Sequence, residues 1–411
     1  MTARINKTDF AAPEIVSTLH QRALGVGLLF GVASLIAAIL PATREQFFHS
    51  YLIGFMLCLG ASLGSMAFLM IQHLTGGMWG MVIRRQLEAA MKVLPLMAVL
   101  FIPIWVGMPY LYSGTPGLND GWMKPYPTDT HLIQMTHSYL TVSGYKIRAI
   151  AYFAIWLVLA FILSRWSNEQ DSPPVQNLSP RFRKIAAPGL ILYAFTISFA
   201  VIDWVMSLDP HWISTIYGFI FIVGECLTAM CLMVIVESVL SRYQPMASLL
   251  KAKEVHDHGK LMLTFVMLFA YFSFSQLLII WAGNLPSEIT FFTRRLNEGW
   301  QRVGLALVLF HFAIPFLFLL SRSFKRNPRQ LVWLAGWLIF MRLVDLFWYI
   351  EPNFHKAIFF SPLTALDLVV PIAIGGFWLA YFFRNLRSRP LLPVYDQHAQ
   401  EFLEYAEAAH E

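Results

Sequence analysis

The chain has 411 residues, 57% of them hydrophobic and only 13% charged, with a mean hydropathy of +0.58. That is more apolar surface than one aqueous core can hide, so the chain belongs in lipid and leaves no soluble domain of useful size. A net charge of +6 does not indicate nucleic acid, because the basic residues sit in short clusters at the ends of apolar runs, where membrane orientation accounts for them.

Apolar runs of about 20 residues, each enough for a hydrocarbon core of ~30 Å, recur along the whole length. Residues 1–20 read as an N-terminal tail. Asp9 and Glu14 and the lack of a short apolar stretch with a small-residue cleavage site argue against a removable signal peptide. The first predicted span is Gln21 to Ile39 and the second Tyr51 to Leu74, where Gly60 and Gly64 form a small-x-x-x-small face for close helix approach. The third, Ala89 to Tyr110, is followed by a connection to Leu140 rich in Gly, Pro, Tyr and Trp. That composition predicts an ordered loop, packed on a docked partner or on itself. After the fourth span, Thr141 to Arg165, the polar residues Asn168, Glu169, Gln170, Asp171 and Ser172 with Pro173 and Pro174 read as a solvated hinge, near 167–185, between helix bundles. Six further spans are predicted: Ala186 to Met206, Ile213 to Leu240, Lys260 to Trp281, Gln301 to Leu320, Leu331 to Ile350 and Pro362 to Phe383. The ten-helix domain thus covers 21–384, and 385–411 form a C-terminal tail. Of the 30 Lys and Arg residues, 21 fall on the side that holds both tails, 8 on the other, and Arg342 alone lies inside a span. This asymmetry predicts cytoplasmic termini in a bacterial inner membrane.

An ionisable side chain in hydrocarbon costs about 2.5 kcal/mol or more, so each one is a functional candidate. Glu225, near the middle of the sixth span with no basic residue within a helical turn, is the sharpest. A carboxyl there suits a proton relay or a hydrogen bond to a quinol. Glu237, about three turns on, either extends that relay or snorkels to the surface. Arg342 and Asp345 in the ninth span share a face and can pair, with Tyr349 a turn later. The stretch from Asp203 through Asp209, His211 and Trp212 puts two carboxylates, an imidazole and two indoles at one outer turn, suited to hold a quinol ring and accept its protons. The blander reading is an interfacial tryptophan belt beside a helix start. Gln276, with Ser273 on the seventh span, and Asn284 after it supply polar groups that serve a quinone head group or ordinary interhelical bonding. On the inner side, His73 and the His256-Asp257-His258 triplet are candidates for proton uptake, against a plain solvated loop.

Cys58, Cys226 and Cys231 lie in apolar runs outside any C-x-x-C pattern, and only His311 of the histidines is clearly within a span. No iron-sulfur cluster, haem or other metal site is therefore expected on this chain.

The stretches Asp203-Trp204-Val-Met-Ser-Leu-Asp209-Pro210-His211-Trp212-Ile-Ser214-Thr215-Ile-Tyr-Gly218 and Phe265-Val-Met-Leu-Phe-Ala-Tyr271-Phe-Ser273-Phe-Ser275-Gln276-Leu-Leu-Ile-Ile-Trp281-Ala-Gly-Asn284-Leu-Pro286 resemble the F subunit of bacterial alternative complex III (ActF). The resemblance covers nearly the whole chain and its ten-span plan. It implies an all-α, polysulfide-reductase-like (NrfD-like) membrane subunit with two four-helix bundles and two flanking helices. Such a subunit belongs to a quinol to cytochrome c oxidoreductase. The resemblance further implies a related quinol-binding membrane subunit beside it, and periplasmic iron-sulfur and cytochrome c subunits that carry the clusters and haem c. This chain would associate with quinol or menaquinol, or conduct protons, without a redox cofactor of its own. One departure is that His256-Asp257-His258-Gly259 stands where the family has an aspartate followed by apolar residues. Two other classes remain open: an independent secondary transporter, which needs interrupted helices in matching halves, and a purely structural membrane scaffold.

Overall fold

The computed structural model describes residues 10–115, 118–124, 129–171, 177–358, 362–393, 395, 396, 399 and 401–403. In chain order the helices are α1 (Glu14–Ile39), α2 (Arg44–Thr75), α3 (Trp79–Met91), α4 (Leu94–Leu100), α5 (Ile102–Leu111), α6 (Thr130–Ser138), α7 (Val142–Gln170), α8 (Ser179–Trp204), α9 (Tyr217–Leu240), α10 (Met246–Leu249), α11 (Ala252–Gly283), α12 (Pro286–Arg295), α13 (Trp300–Ala306), α14 (Ile314–Leu320), α15 (Arg322–Arg326), α16 (Pro328–Ile350) and α17 (Leu366–Arg387). A π-helical segment, Leu307–Ala313, joins α13 to α14. Nine helices among the described residues are long and apolar enough to cross a membrane, counting α13 to α14 as one; a bent pair, Trp79–Leu100 with Ile102–Leu111, raises the number to ten if it is one span. The protein is an all-α, multi-pass membrane protein.

Local chemistry explains where these helices begin, bend and stop. Thr141 accepts a hydrogen bond from Gly144 N at 2.9 Å and opens α7, and Asn327 caps α16 through Arg329 N and Gln330 N. Asn284, left-handed at φ 46°, ends α11, and Pro286 starts α12. Pro95 and Pro103 lack the N–H that would bond the preceding turn, and the chain breaks just before each, at Lys92 and Phe101, with a 53° bend at the second. Pro315 likewise leaves the carbonyl of His311 without its helical partner, and the turn before it widens to a π-helix.

Lipid gives apolar helices no hydrophobic reason to associate, so small residues and buried polar groups must hold them. The α2 helix is the pillar: 94% of its apolar window is buried, against 17% for α1. It packs on α1, on α3 to α5, and on α8, α9, α16 and α17. Gly60 and Gly64 let it approach α9 so closely that a Cβ on Gly60 would stand 2.9 Å from Glu225 Cγ, and one on Gly64 would strike the Glu225 carbonyl. Helices α11 and α16 pack on α9, and α14 packs on α11 behind them. Helix α1 runs against α17, with Gly27 and Gly376 in backbone contact and His20 Nδ1 2.8 Å from the Ala380 carbonyl. The outer faces are greasy: Leu29 is 70% exposed, and the exposed indoles Trp281 and Trp333 stand towards opposite ends of the bundle.

Several helices begin earlier or run further than the hydropathy reading predicts, through polar residues many of which are buried. Helix α2 starts at Arg44 and takes Gln46, His49 and Ser50 into the interior; α11 starts at Ala252 and takes in His256 and His258. Helix α7 continues to Gln170, with Ser167 and Gln170 buried and Asn168 between them exposed, so only one face of this part of the expected hinge is solvated; residues 172–176 lie outside the described residues. Past Arg387 the C-terminal segment is not a free tail, since Leu391, Leu392, Ala399 and Phe402 are buried and Leu391 N bonds the Phe10 carbonyl at 2.8 Å. The long connection after α5 packs on itself as a short hairpin, with Thr115 opposite Asn119, and as α6, while Trp122 is buried beside Tyr112 and Tyr145.

Candidate functional site

Glu225 occupies the centre of α9 and is 2% exposed, held where the α2 glycines permit close packing. Tyr193 of α8 donates a hydrogen bond to Glu225 Oε2 at 2.8 Å, while Oε1 meets no hydrogen-bond partner among the described residues. Arg342 of α16 lies against Gly224, one residue away, where a Cβ would strike its guanidinium. Local spacing does not show this cation beside Glu225, because it arrives from a helix far along the chain. Gly224 is the one legible signal, a small residue where a large neighbour must fit. Arg342 is ion-paired with Asp345 as predicted and faces the Phe221 ring at 5.1 Å. Tyr349 lies on the same helix, with its ring 5.4 Å from that of Tyr217. Together, Glu225, Tyr193, Arg342 and Asp345 form a buried polar hub at mid-depth.

About 18 Å towards the basic end along α9, at 1.5 Å per residue, Glu237 is 1% exposed with Oε2 2.7 Å from His258 Nδ1. It does not snorkel, because α11 covers it. His258 is not part of a solvated loop either: it is fully buried, and its Nε2 lies 2.8 Å from the Trp79 carbonyl. A carbonyl only accepts, so Nε2 carries a proton, and one further proton is left for the contact between Nδ1 and the carboxylate. His256 and Asp257 stay near the surface on the first turns of α11, where Asp257 pairs with Lys260 at 2.9 Å. His73 is buried at the same end and stacks on Phe182 at 4.0 Å, beside Arg84 in a small cleft.

The outer cluster read from the sequence comes apart. Asp203 turns inward, accepting from Arg148 Nε and Nη2 and from the Tyr152 hydroxyl, each at 2.8 Å. Asp209 pairs with Arg294 at 3.1 Å, which also bonds Asn353. His211 stands 3.0 Å from Asp129 at the surface, and Trp212 stacks on Phe291 at 4.1 Å. No common pocket joins these groups among the described residues, because the turn after α8 sends successive side chains to three different neighbours. Gln276 is buried with its Nε2 unpartnered, whereas Asn284 is an exposed helix terminator. Arg295, beside this end, is wrapped by the carbonyls of Phe291, Trp348 and Tyr349, and burial pulls its guanidinium down to about 10.

Two networks escape a reading of sequence alone. At the basic end, Arg85 pairs with Glu88 at 2.8 Å and with Asp171, while Arg84 pairs with Asp396 at 2.7 Å and bonds Gln170. The hydropathy reading uses these arginines only for orientation. At the other end, Gln46 and Ser50 of α2 bond Asp367 of α17, and Gln46 reaches Glu351 and His355 after α16. Comparison with known proteins identifies no relative, since no family model and no curated protein sequence matches the chain.

Proposed function

We propose that the chain is a membrane subunit of a quinol-oxidising respiratory complex, of the alternative complex III type, contributing a proton path, a quinone contact, or both. The supporting observation is Glu225: a buried carboxyl at mid-depth, half satisfied by one tyrosine, beside an arginine from another helix. Such a group is costly in hydrocarbon and is tolerated where it handles a proton or a polar ligand. The close pair Glu237 and His258 extends buried titratable groups towards the basic end, and Asp345, Tyr349 and Asp209 extend them the other way. On this reading His73 and His258 serve uptake from the cytoplasm, and quinone chemistry belongs to the end with the longer loops. The electrons pass through haem c and iron-sulfur clusters on partner subunits, including periplasmic ones beside a related NrfD-like subunit.

The packing also supports two four-helix bundles. Helices α2, α3 to α5, α7 and α8 form one and α9, α11, α13 to α14 and α16 the other, with α1 and α17 flanking them. Purification in mild detergent tests the complex directly: chains bearing haem c and iron-sulfur clusters are expected to co-purify, and a lone chain that transports a solute would eliminate the proposal. Within such a complex, Glu225→Gln is expected to lower quinol oxidation or its coupled proton movement about 100-fold or more while assembly persists, in line with the usual weight of a positioned acid or base. A scaffold role is the second reading, favoured by the half-buried Arg148 and the buried Asp203, a charge pair whose carboxylate accepts three hydrogen bonds. Normal turnover in both Glu225→Gln and Arg342→Ala would establish that reading.

A further inference from the structure

The geometry points to a divalent transition-metal site formed by His49, Glu351 and His355 at the end of the bundle where α2 begins and α16 ends. One ligand atom from each residue lies within 4.8 Å of the other two, a separation that an ion of the zinc class can span. The set of two imidazoles and a carboxylate suits zinc, cobalt or nickel and not calcium or magnesium, which take oxygen donors. Three protein donors leave a coordination position for water, as in an open zinc site.

His49 supplies an observation independent of this spacing. The residue is 2% exposed, and neither Nδ1 nor Nε2 makes a well-formed hydrogen bond among the described residues, although the Tyr110 backbone lies beside the ring. A buried imidazole whose nitrogens are left so poorly satisfied forfeits its bonds to water with little in return, unless a ligand takes one of them. The ring is also held in place, stacked 3.5 Å from Phe354 at an interplanar angle of 11°. Glu351 is 1% exposed and presents Oε2 to His355 Nε2 at 3.4 Å. A bound cation would take the place of the proton that His355 shares with Glu351 or with Gln46 Oε1 at 2.9 Å.

The groups behind the ligands complete the arrangement. Gln46 Nε2 donates to Glu351 Oε1 at 3.3 Å and to Asp367 Oδ1 at 2.8 Å, fixing the carboxylate from behind in the way outer groups orient metal ligands. His355 is half exposed and gives an ion a way in from solvent. The site would tie the first turns of α2 to the connection between α16 and α17, joining positions some three hundred residues apart. It stands independently of the quinol reading.

The test uses the full-length protein in detergent, stripped with a chelator and titrated with Co2+ while its visible absorption is followed. Binding of one equivalent with the intense bands of a four- or five-coordinate ion, displaced by Zn2+, is the expected result. Both His49→Gln and His355→Ala should abolish it, Gln46→Ala should weaken it about 10–100-fold, and Asp129→Asn in the separate His211 cluster should leave it unchanged. His355 is exposed enough for its alanine variant to fold even if the His49 variant does not. The site is overturned if the wild-type chain binds no Co2+ saturably, if His355→Ala binds as the wild type does, or if binding is lost in Asp129→Asn instead.

Discussion

At the scale of single residues, the chain spends its glycines where two helices must touch. Gly64 faces the backbone carbonyl of Glu225 and has Ala229 Cβ 3.0 Å from where its own Cβ would be, and a backbone carbonyl cannot swing aside as a flexible side chain can. Gly64→Ala should therefore push α2 off α9 and cost about 1–3 kcal/mol, the usual range for overpacking. Gly25 on α1 has no atom within 4 Å of its would-be Cβ, so Gly25→Ala should be neutral or slightly stabilising through helix propensity. Thermal unfolding of the two variants in one detergent separates these outcomes, and equal midpoints would remove the close-packing account. The same contact explains why Glu225 was legible and its surroundings were not. A lone carboxylate in an apolar run is visible in one dimension, but Tyr193 and Arg342 reach it from α8 and α16, and no local spacing encodes that.

At the scale of elements, polar residues at the helix ends turn out to be structural joints. Helix α3 carries Arg84, Arg85 and Glu88, all 2% exposed, into a network that also binds Ser167 and Asp171 from the end of α7, and Arg389 and Asp396 beyond α17. Removing one member of a buried charge pair costs about 3–5 kcal/mol, because the partner keeps its charge without its compensation. Arg85→Ala should fall at the lower end of that range, since Arg84 at 3.5 Å and Arg389 at 3.4 Å still face Glu88. Adding Glu88→Gln to Arg85→Ala should restore part of the loss, and a double-mutant cycle on unfolding measures the coupling. Strict additivity would mean that the two residues do not act together. These joints are also why element boundaries were misread: a hydropathy window stops at charge, yet α2, α3 and α11 run on through charged turns whose partners lie on other helices. The spans themselves were legible because lipid demands long apolar runs, and that demand leaves its mark locally in the chain.

At the scale of the whole molecule, the two ends of the described chain bear on how many times it crosses. The carbonyl of Phe10 accepts from Leu391 N, and α1 and α17 run antiparallel, with His20 beside Ala380 and Gly27 beside Gly376. Termini that meet at one end require an even number of crossings. Nine straight spans alone would put them on opposite sides, so a full crossing by the bent pair from Trp79 to Leu111 is the expected outcome, with a re-entrant loop as its alternative. The arginines and lysines concentrated at the shared end predict that it faces the cytoplasm. Topology reporters fused before α1 and after α17 should then both read cytoplasmic. A cysteine at Arg326 should be labelled from that same side, and one at Glu298 only from the other, with native Cys58, Cys226 and Cys231 buried and silent. Opposite readings from the two fusions would turn α3 to α5 into a re-entrant segment. They would also separate Phe10 from Leu391 and invert the direction assigned to the Glu237 and His258 end.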